Sequence, residues 1–248
     1  MDEGTTAWGW VIGGLTSLAI AIVGIMRTLI IGDVHGCKDE LLRLVESFGF
    51  VPGVDRLFQV GDLINKGPDT AGCIELVQKL GIRCILGNHE AKLLKVLAIP
   101  EGERSERERN YLSRLGPRVF EIGEAIRSWP LWIEEPDFLL VHAGLEPGKT
   151  DLREMRRKSI LTIRTWDGVG EELDLAGDPH WYECVQWPKT VVFGHWAMLG
   201  LVERPGFRGL DTGCVYGGKL TGWCPEEDRI YQVDAAREYV HLQPGVLT

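Results

Sequence analysis

The chain has 248 residues, 44% of them hydrophobic and 25% charged, which is ordinary for one globular domain with a sizeable core. A formal net charge of −9 excludes a broad nucleic-acid-binding surface. An anionic substrate would have to meet a local cationic site, which bound metal can provide.

Residues 1–27 read as a hydrophobic segment ahead of a domain spanning 28–248. Gly4 to Met26 carries no charge, and Ala7 to Ile25 is long enough to cross a bilayer as a helix. The acidic start at Asp2 and Glu3 is wrong for a secretory signal peptide, and Arg27 behind the run would leave the bulk of the chain on the cytoplasmic side. Met26, immediately before the first strand, supports the competing reading of an over-extended start. The expectation is therefore a cytoplasmic protein, or one anchored through residues 7–25 with its domain facing the cytoplasm. Six cysteines, Cys37, Cys73, Cys84, Cys184, Cys214 and Cys224, show no C-x-x-C pairing and imply a reduced domain without a disulfide framework.

Thr28-Leu29-Ile30-Ile31 has no polar alternation and reads as a strand buried on both faces. It runs into Gly32-Asp33-Val34-His35-Gly36, where glycines let the backbone turn at the end of an α/β strand. Lys38 to Phe48 places Leu41, Leu44, Val45 and Phe48 at helical spacing. A second strand, Leu57 to Val60, ends in Gly61-Asp62. A helix over about Thr70 to Leu80 leads to a third strand, Arg83 to Leu86, and to Gly87-Asn88-His89-Glu90. Strand, helix, strand, helix, strand implies right-handed crossovers and a parallel core. Glu101 to Asn110 alternates Glu and Arg, either as a solvated helix face or as a cap from which Arg104, Arg107 or Arg109 reaches an anionic substrate. Phe138 to Val141 and Thr190 to Phe193 are further buried strands, each leading into a histidine, His142 and His195. The tail after Arg208, with Gly217-Gly218 and short β-rich pieces, looks antiparallel.

Asp33, His35, Asp62, Asn88, His89, His142 and His195 thus collect at strand ends. Only six histidines occur in the chain, so four at one structural position are hard to explain as packing. Carboxylate, imidazole and one amide oxygen together suit two divalent borderline metal ions: manganese first, with iron, zinc or cobalt as alternatives. Two ions sharing a carboxylate would stand roughly 3.5–4 Å apart and clamp the attacking and leaving oxygens of a phosphoryl transfer.

Gly-Asp33-Val-His35-Gly, Gly-Asp62 with Gly67 five residues on, Gly-Asn88-His89-Glu, Val-His142-Ala-Gly and Gly-His195-Trp resemble, in that order, the motifs of the calcineurin-like metallophosphoesterases. The resemblance covers the chain from Thr28 to about Val233. It implies a layered αββα sandwich with a small helical cap, from about Ile99 to Trp129. One metal would be held by Asp33, His35 and Asp62, and the other by Asp62, Asn88, His142 and His195, while His89 acts as general acid. Phe193 to Ala197 and Leu210 to Thr221 resemble the branch of symmetrical bis(5'-nucleosyl)-tetraphosphatases and their ApaH-like relatives. Related protein phosphatases carry Asp-Arg where this chain has Asn65-Lys66. Asn65 is expected to accept a bond from the His89 imidazole without stabilising imidazolium, and Lys66 to give phosphate a point charge instead of a fork. The resemblance therefore implies a phosphoanhydride hydrolase acting on a small dinucleoside polyphosphate. A Ser/Thr protein phosphatase, a polyphosphate or capped-RNA hydrolase, and a metal-binding scaffold without catalysis are the competing readings.

Further expectations concern seven residues. Arg164 stands where the family grips phosphate with a second arginine, or makes a structural ion pair. Asp211 orients a ligand histidine or serves a turn. Tyr216 lies over the metals or anchors a loop. Trp181 and Tyr182 stack on a base or belong to the core. His180 and His241 have no motif context and are expected at the surface.

Overall fold

A computed structural model describes residues 26–241; the hydrophobic run over residues 7–25 lies outside the described residues. No helix among the described residues is long and apolar enough to cross a membrane.

Two five-stranded mixed sheets face one another. The first contains β1 (Thr28–Ile31), β2 (Arg56–Gln59), β3 (Arg83–Cys84), β9 (Lys219–Cys224) and β10 (Arg229–Asp234), in the order β10-β9-β1-β2-β3. β1, β2 and β3 are parallel, whereas β9 runs antiparallel to β1 and forms a hairpin with β10. The antiparallel tail is thus built into one edge of the first sheet. The second sheet contains β4 (Trp132–Glu134), β5 (Phe138–Val141), β6 (Thr190–Phe193), β7 (Val202–Arg204) and β8 (Phe207–Gly209), in the order β4-β5-β6-β8-β7 with β5, β6 and β8 parallel.

Strand alternation explains the layers. Ile30, Phe58 and Val60 point between the sheets, where they meet Phe138, Leu140 and Val192. Their neighbours Leu29, Ile31 and Leu57 point the other way, onto α1 (Lys38–Phe48) and α2 (Thr70–Leu80). Full burial of each such aliphatic side chain contributes about 1.5–3 kcal/mol, which is why β1 tolerates no polar alternation. Both helices end where a left-handed glycine, Gly49 or Gly81, caps them.

β3 is shorter than the four residues its apolar run predicts. Ile85 N bonds Gln59 O at 3.3 Å and Leu86 N bonds Pro130 O at 2.8 Å, so the amides remain satisfied as the chain leaves the ladder. After it come α3 (Asn88–Leu97), α4 (Glu106–Arg114) and α5 (Val119–Ile126). Tyr111, Leu112, Ile122 and Ile126 join the same apolar cluster as α1 and α2, so the helices over residues 106–126 share the core of the first sheet. A short α6 (Arg157–Thr162) lies beside the second sheet, whose outer face is filled by Trp181, Tyr182, Phe193 and Phe207. Trp181 and Tyr182 are therefore core residues, and the Trp181 ring occupies the space that a side chain at Gly144 would need.

Candidate active site

The ends of β1, β2, β5 and β6 and the start of α3 converge on one place between the sheets. The backbone there is bent unusually: His35, Asp62, Asn65, Lys66 and His195 all have positive φ, and among the described residues Asp228 is the one other non-glycine that does. Left-handed backbone costs about 1–3 kcal/mol at such residues, and it is concentrated where side chains must be aimed into a site. The chain also approaches itself closely there. A Cβ at Gly87 would collide with Asp62 Oδ1, and one at Gly194 with Asp33 Oδ1.

Asp62 is the centre of the constellation. Its Oδ2 lies 3.6 Å from His35 Nε2, 3.5 Å from His142 Nε2 and 3.9 Å from His89 Nε2. Two groups result whose donor atoms all lie within 4.8 Å of one another: His35, Asp62 and His89; and Asp62, His142 and His195. Asn88 Oδ1 falls between the last two histidines, 2.9 Å from His142 Nε2 and 3.0 Å from His195 Nδ1. Asp33 stands outside both groups, with both carboxylate oxygens 3.2 Å from the His195 amide.

The chemistry of this donor set fits divalent cations. His35 Nδ1 donates to Ile64 O at 3.2 Å and His142 Nδ1 to Val60 O at 3.0 Å, which turns both Nε2 atoms towards the Asp62 carboxylate. Imidazole nitrogens gathered with a carboxylate and an amide oxygen are the donor set that borderline divalent ions take. The carboxylates carry the same message. Burial, then Asp211 and Asp62, hold Asp33 well above the usual carboxylate range, and burial lifts Asp211 to about 6. Asp62 is itself penalised by burial, yet His142 and His89 outweigh this and hold its pKa well below normal. A third cluster, Cys37, Glu40 and Cys214, is equally compact, but a bond to Cys37 together with burial pushes the Cys214 thiol far up and keeps it protonated.

Two further residues fix the geometry. Glu90, fully buried, accepts the amides of Asp62 (2.9 Å), Gly87 (2.9 Å) and Ile64 (3.1 Å), tying the end of β2 to the start of α3. Burial, then the Asp62 charge, raises its pKa to about 7, while His142 and the donated amides pull the other way. Gln59, also buried, donates to Gly32 O at 3.3 Å and accepts from Gly61 N at 2.9 Å, joining the ends of β1 and β2. Sequence reasoning assigned a role to neither. A glutamate three residues past Gly87, where a helix begins, is the signal that marks the first.

Asn65 departs from expectation. Its Nδ2 lies 2.8 Å from His89 Nδ1, and since an amide nitrogen only donates, Nδ1 accepts and the neutral ring carries its hydrogen on Nε2. Burial, and to a lesser degree Lys66, lowers the His89 pKa to about 4 even though Asp62 opposes the shift, so the ring is neutral at pH 7. The Lys66 ammonium donates to Tyr216 Oη at 2.8 Å and to His35 Nε2 at 3.2 Å, which puts Tyr216 at the mouth of the site. Arg164 is buried, pairs with Asp174 at 2.7 Å and lies 5.9 Å over the Trp196 ring. Asp211 Oδ1 accepts the Gly213 amide at 3.1 Å, a turn contact. His241 is exposed, but His180 is half-buried, bonded to Tyr182 Oη at 2.5 Å and packed on Trp196. The Glu/Arg run divides as well. Arg104 is spent on the carbonyls of Ile99 and Leu97, Arg109 bonds Arg104 O, and Arg107 lines the cleft beside Asn88 and His89.

Two layered mixed sheets with a carboxylate–histidine cluster at their strand ends define a metallophosphoesterase. Residues 26–207 match the family described as calcineurin-like phosphoesterase, and the chain belongs to it. The chain is 30% identical to a symmetrical bis(5'-nucleosyl)-tetraphosphatase of Dechloromonas aromatica, over 85% of this chain and 97% of that protein. A protein of the same name from Psychromonas ingrahamii is 30% identical over 87% of this chain and 99% of its own length. Among solved structures, a candidate diadenosine tetraphosphatase superposes with a TM-score of 0.71 at 33% identity, covering 86% of this chain and 95% of that one. A protein serine/threonine phosphatase from Saccharomyces cerevisiae, at 17% identity and a TM-score of 0.56, shares the fold, covering 89% of this chain and 82% of its own.

Proposed function

We propose that the protein hydrolyses phosphoanhydrides, with a dinucleoside tetraphosphate cut symmetrically to two nucleoside diphosphates as its substrate. The observation that carries this reading is the neutral His89 held by Asn65. A ring with its hydrogen on Nε2 can donate a hydrogen bond to a leaving oxygen but supplies no ready proton at pH 7. A nucleoside diphosphate leaves with its charge delocalised and needs no more, whereas a serine alkoxide leaves badly without a proton. The names of the relatives support the same substrate class.

In this reading Asp33, His35 and Asp62 hold one divalent ion and Asp62, Asn88, His142 and His195 the other, with manganese the ion best suited to so mixed a donor set. When bound, such a pair generates a nucleophile from water at neutral pH and stabilises charge on the transferring phosphoryl group. Lys66, already at the cluster's edge, binds non-bridging oxygens, and His89 orients the leaving oxygen. Arg164, paired with Asp174, adds positive potential beside His195 without leaving its partner. The free thiols of all six cysteines support a reducing, cytoplasmic setting.

Turnover of diadenosine tetraphosphate, polyphosphate, capped RNA and a phosphoserine peptide by the manganese-loaded enzyme tests the proposal. The dinucleotide should give two ADP at the highest kcat/KM. Preference for the phosphopeptide would establish the protein-phosphatase reading instead.

A further inference from the structure

The cleft beside the cluster, about 730 Å³ in volume, is more cationic than a single cleaved phosphate requires. Asn88 and His89 lie on one side, and Lys66, Lys92, Arg107 and Arg114 contribute its charge. Lys92 follows His89 by three positions on α3, so it stands one turn, about 5 Å, further along the same face. Arg107, Tyr111 and Arg114 recur at i, i+4 and i+7 on α4, forming a single stripe that lines the cleft. The Lys92 ammonium lies 4.7 Å from the centre of the Tyr111 ring, which ties the two helices' charges to one place.

Among the described residues no carboxylate pairs with Lys92, Arg107 or Arg114. Their proximity is felt by the lysine, whose pKa is lowered by burial and then by Arg107 and Arg114. In a chain of net charge −9, three converging, uncompensated cations at the mouth of a phosphoesterase site are a local anion site.

We propose that Lys92, Arg107 and Arg114 form a second anion subsite, one helical turn beyond His89, that holds the distal phosphates of a polyphosphate chain whose scissile phosphorus lies at Asp62. The inference rests on the phosphoanhydride reading above and narrows it to chains of three or more phosphates. A single phosphate reaches only the Lys66 end. Long, exposed cations suit a flexible chain, where summed charge matters more than fork geometry.

Inhibition of para-nitrophenyl phosphate hydrolysis by inorganic tripolyphosphate and by orthophosphate, with free manganese held constant, reads the subsite. Wild-type enzyme should bind tripolyphosphate about 10–100-fold more tightly than orthophosphate, as two or three partly screened charge contacts allow. The triple variant Lys92→Ala, Arg107→Ala, Arg114→Ala should bring that ratio towards one and flatten the salt dependence of tripolyphosphate binding. An unchanged ratio overturns the proposal. So does an equal loss of affinity for both anions, which would mean a site disturbed as a whole. A wild-type enzyme that prefers tripolyphosphate but cleaves no phosphoanhydride keeps the subsite and refutes the substrate reading, so the two failures separate.

Discussion

Asn65 Nδ2 stands 2.8 Å from His89 Nδ1 and presents it with a donor, so the ring's remaining hydrogen faces the reacting groups from Nε2. An aspartate in the same place would accept from Nδ1 and stabilise the imidazolium, which is a true acid. Asn65→Asp combined with Lys66→Arg should therefore raise the His89 pKa and increase monoester hydrolysis relative to anhydride hydrolysis. We expect the ratio of kcat/KM for a phosphoserine peptide to that for diadenosine tetraphosphate to rise about tenfold or more, within the usual range of general-acid effects. A ratio that stays level would show that the asparagine does not set the leaving-group preference.

Asp62 has three imidazole nitrogens within 4 Å of one carboxylate oxygen, as a bridging ligand would. Asp62→Asn should strip activity and lower the metal content of the purified protein. Wild-type protein loaded with manganese should hold two ions per chain by elemental analysis. Finding no more than one would exclude the dinuclear site.

Glu90 touches no substrate in this reading, yet three buried amides depend on it. Glu90→Ala leaves those donors unsatisfied and should destabilise the fold by about 3 kcal/mol. Glu90→Gln should help only partly, since one end of the amide would turn N–H against N–H. Urea unfolding checks the order wild type, Gln, Ala; a Gln variant as stable as wild type would show that the carboxylate is dispensable.

What the sequence made legible follows from how locally each feature is encoded. α1 and α2 run over Lys38–Phe48 and Thr70–Leu80 as their apolar spacing predicts, because a helix face and a capping glycine are both local. β4 and α6 carried no such pattern; each is short and is fixed by its neighbours, β4 by pairing with β5. The start of α4 is encoded locally as well. Ser105 and Glu108 exchange the bonds of a capping box, the pattern that ends the non-helical part of the Glu/Arg run. At the site, the motif spacing brought forward Asp33, His35, Asp62, Asn88, His89, His142 and His195; the last six lie together, and Asp33 stands beside the His195 amide. Hidden were the direction of the Asn65 hydrogen bond, which depends on which amide atom faces the ring, and the charge of Lys92 and Arg114, which faces the cleft only once α3 and α4 are packed together.

Gly194 offers a test of how closely the site is built. It precedes His195, its amide bonds His142 O at 2.8 Å, and a Cβ placed on it would strike Asp33 Oδ1 and come within 2.9 Å of Val60 Cγ2. Neither neighbour can yield cheaply, because Asp33 is buried and Val60 is packed between the sheets. Gly194→Ala should therefore displace the Asp33 carboxylate and the His195 backbone together. Ångström-scale misplacement of reacting groups costs about 10²-fold in rate, and a loss of that size is expected in kcat with a weaker manganese dependence. Gly102→Ala provides the contrast, since nothing lies within 4 Å of a Cβ there. It should leave rate and metal titration as they are. If Gly194→Ala behaves like Gly102→Ala, the Asp33 carboxylate has room to move, and its assignment as a fixed metal ligand fails.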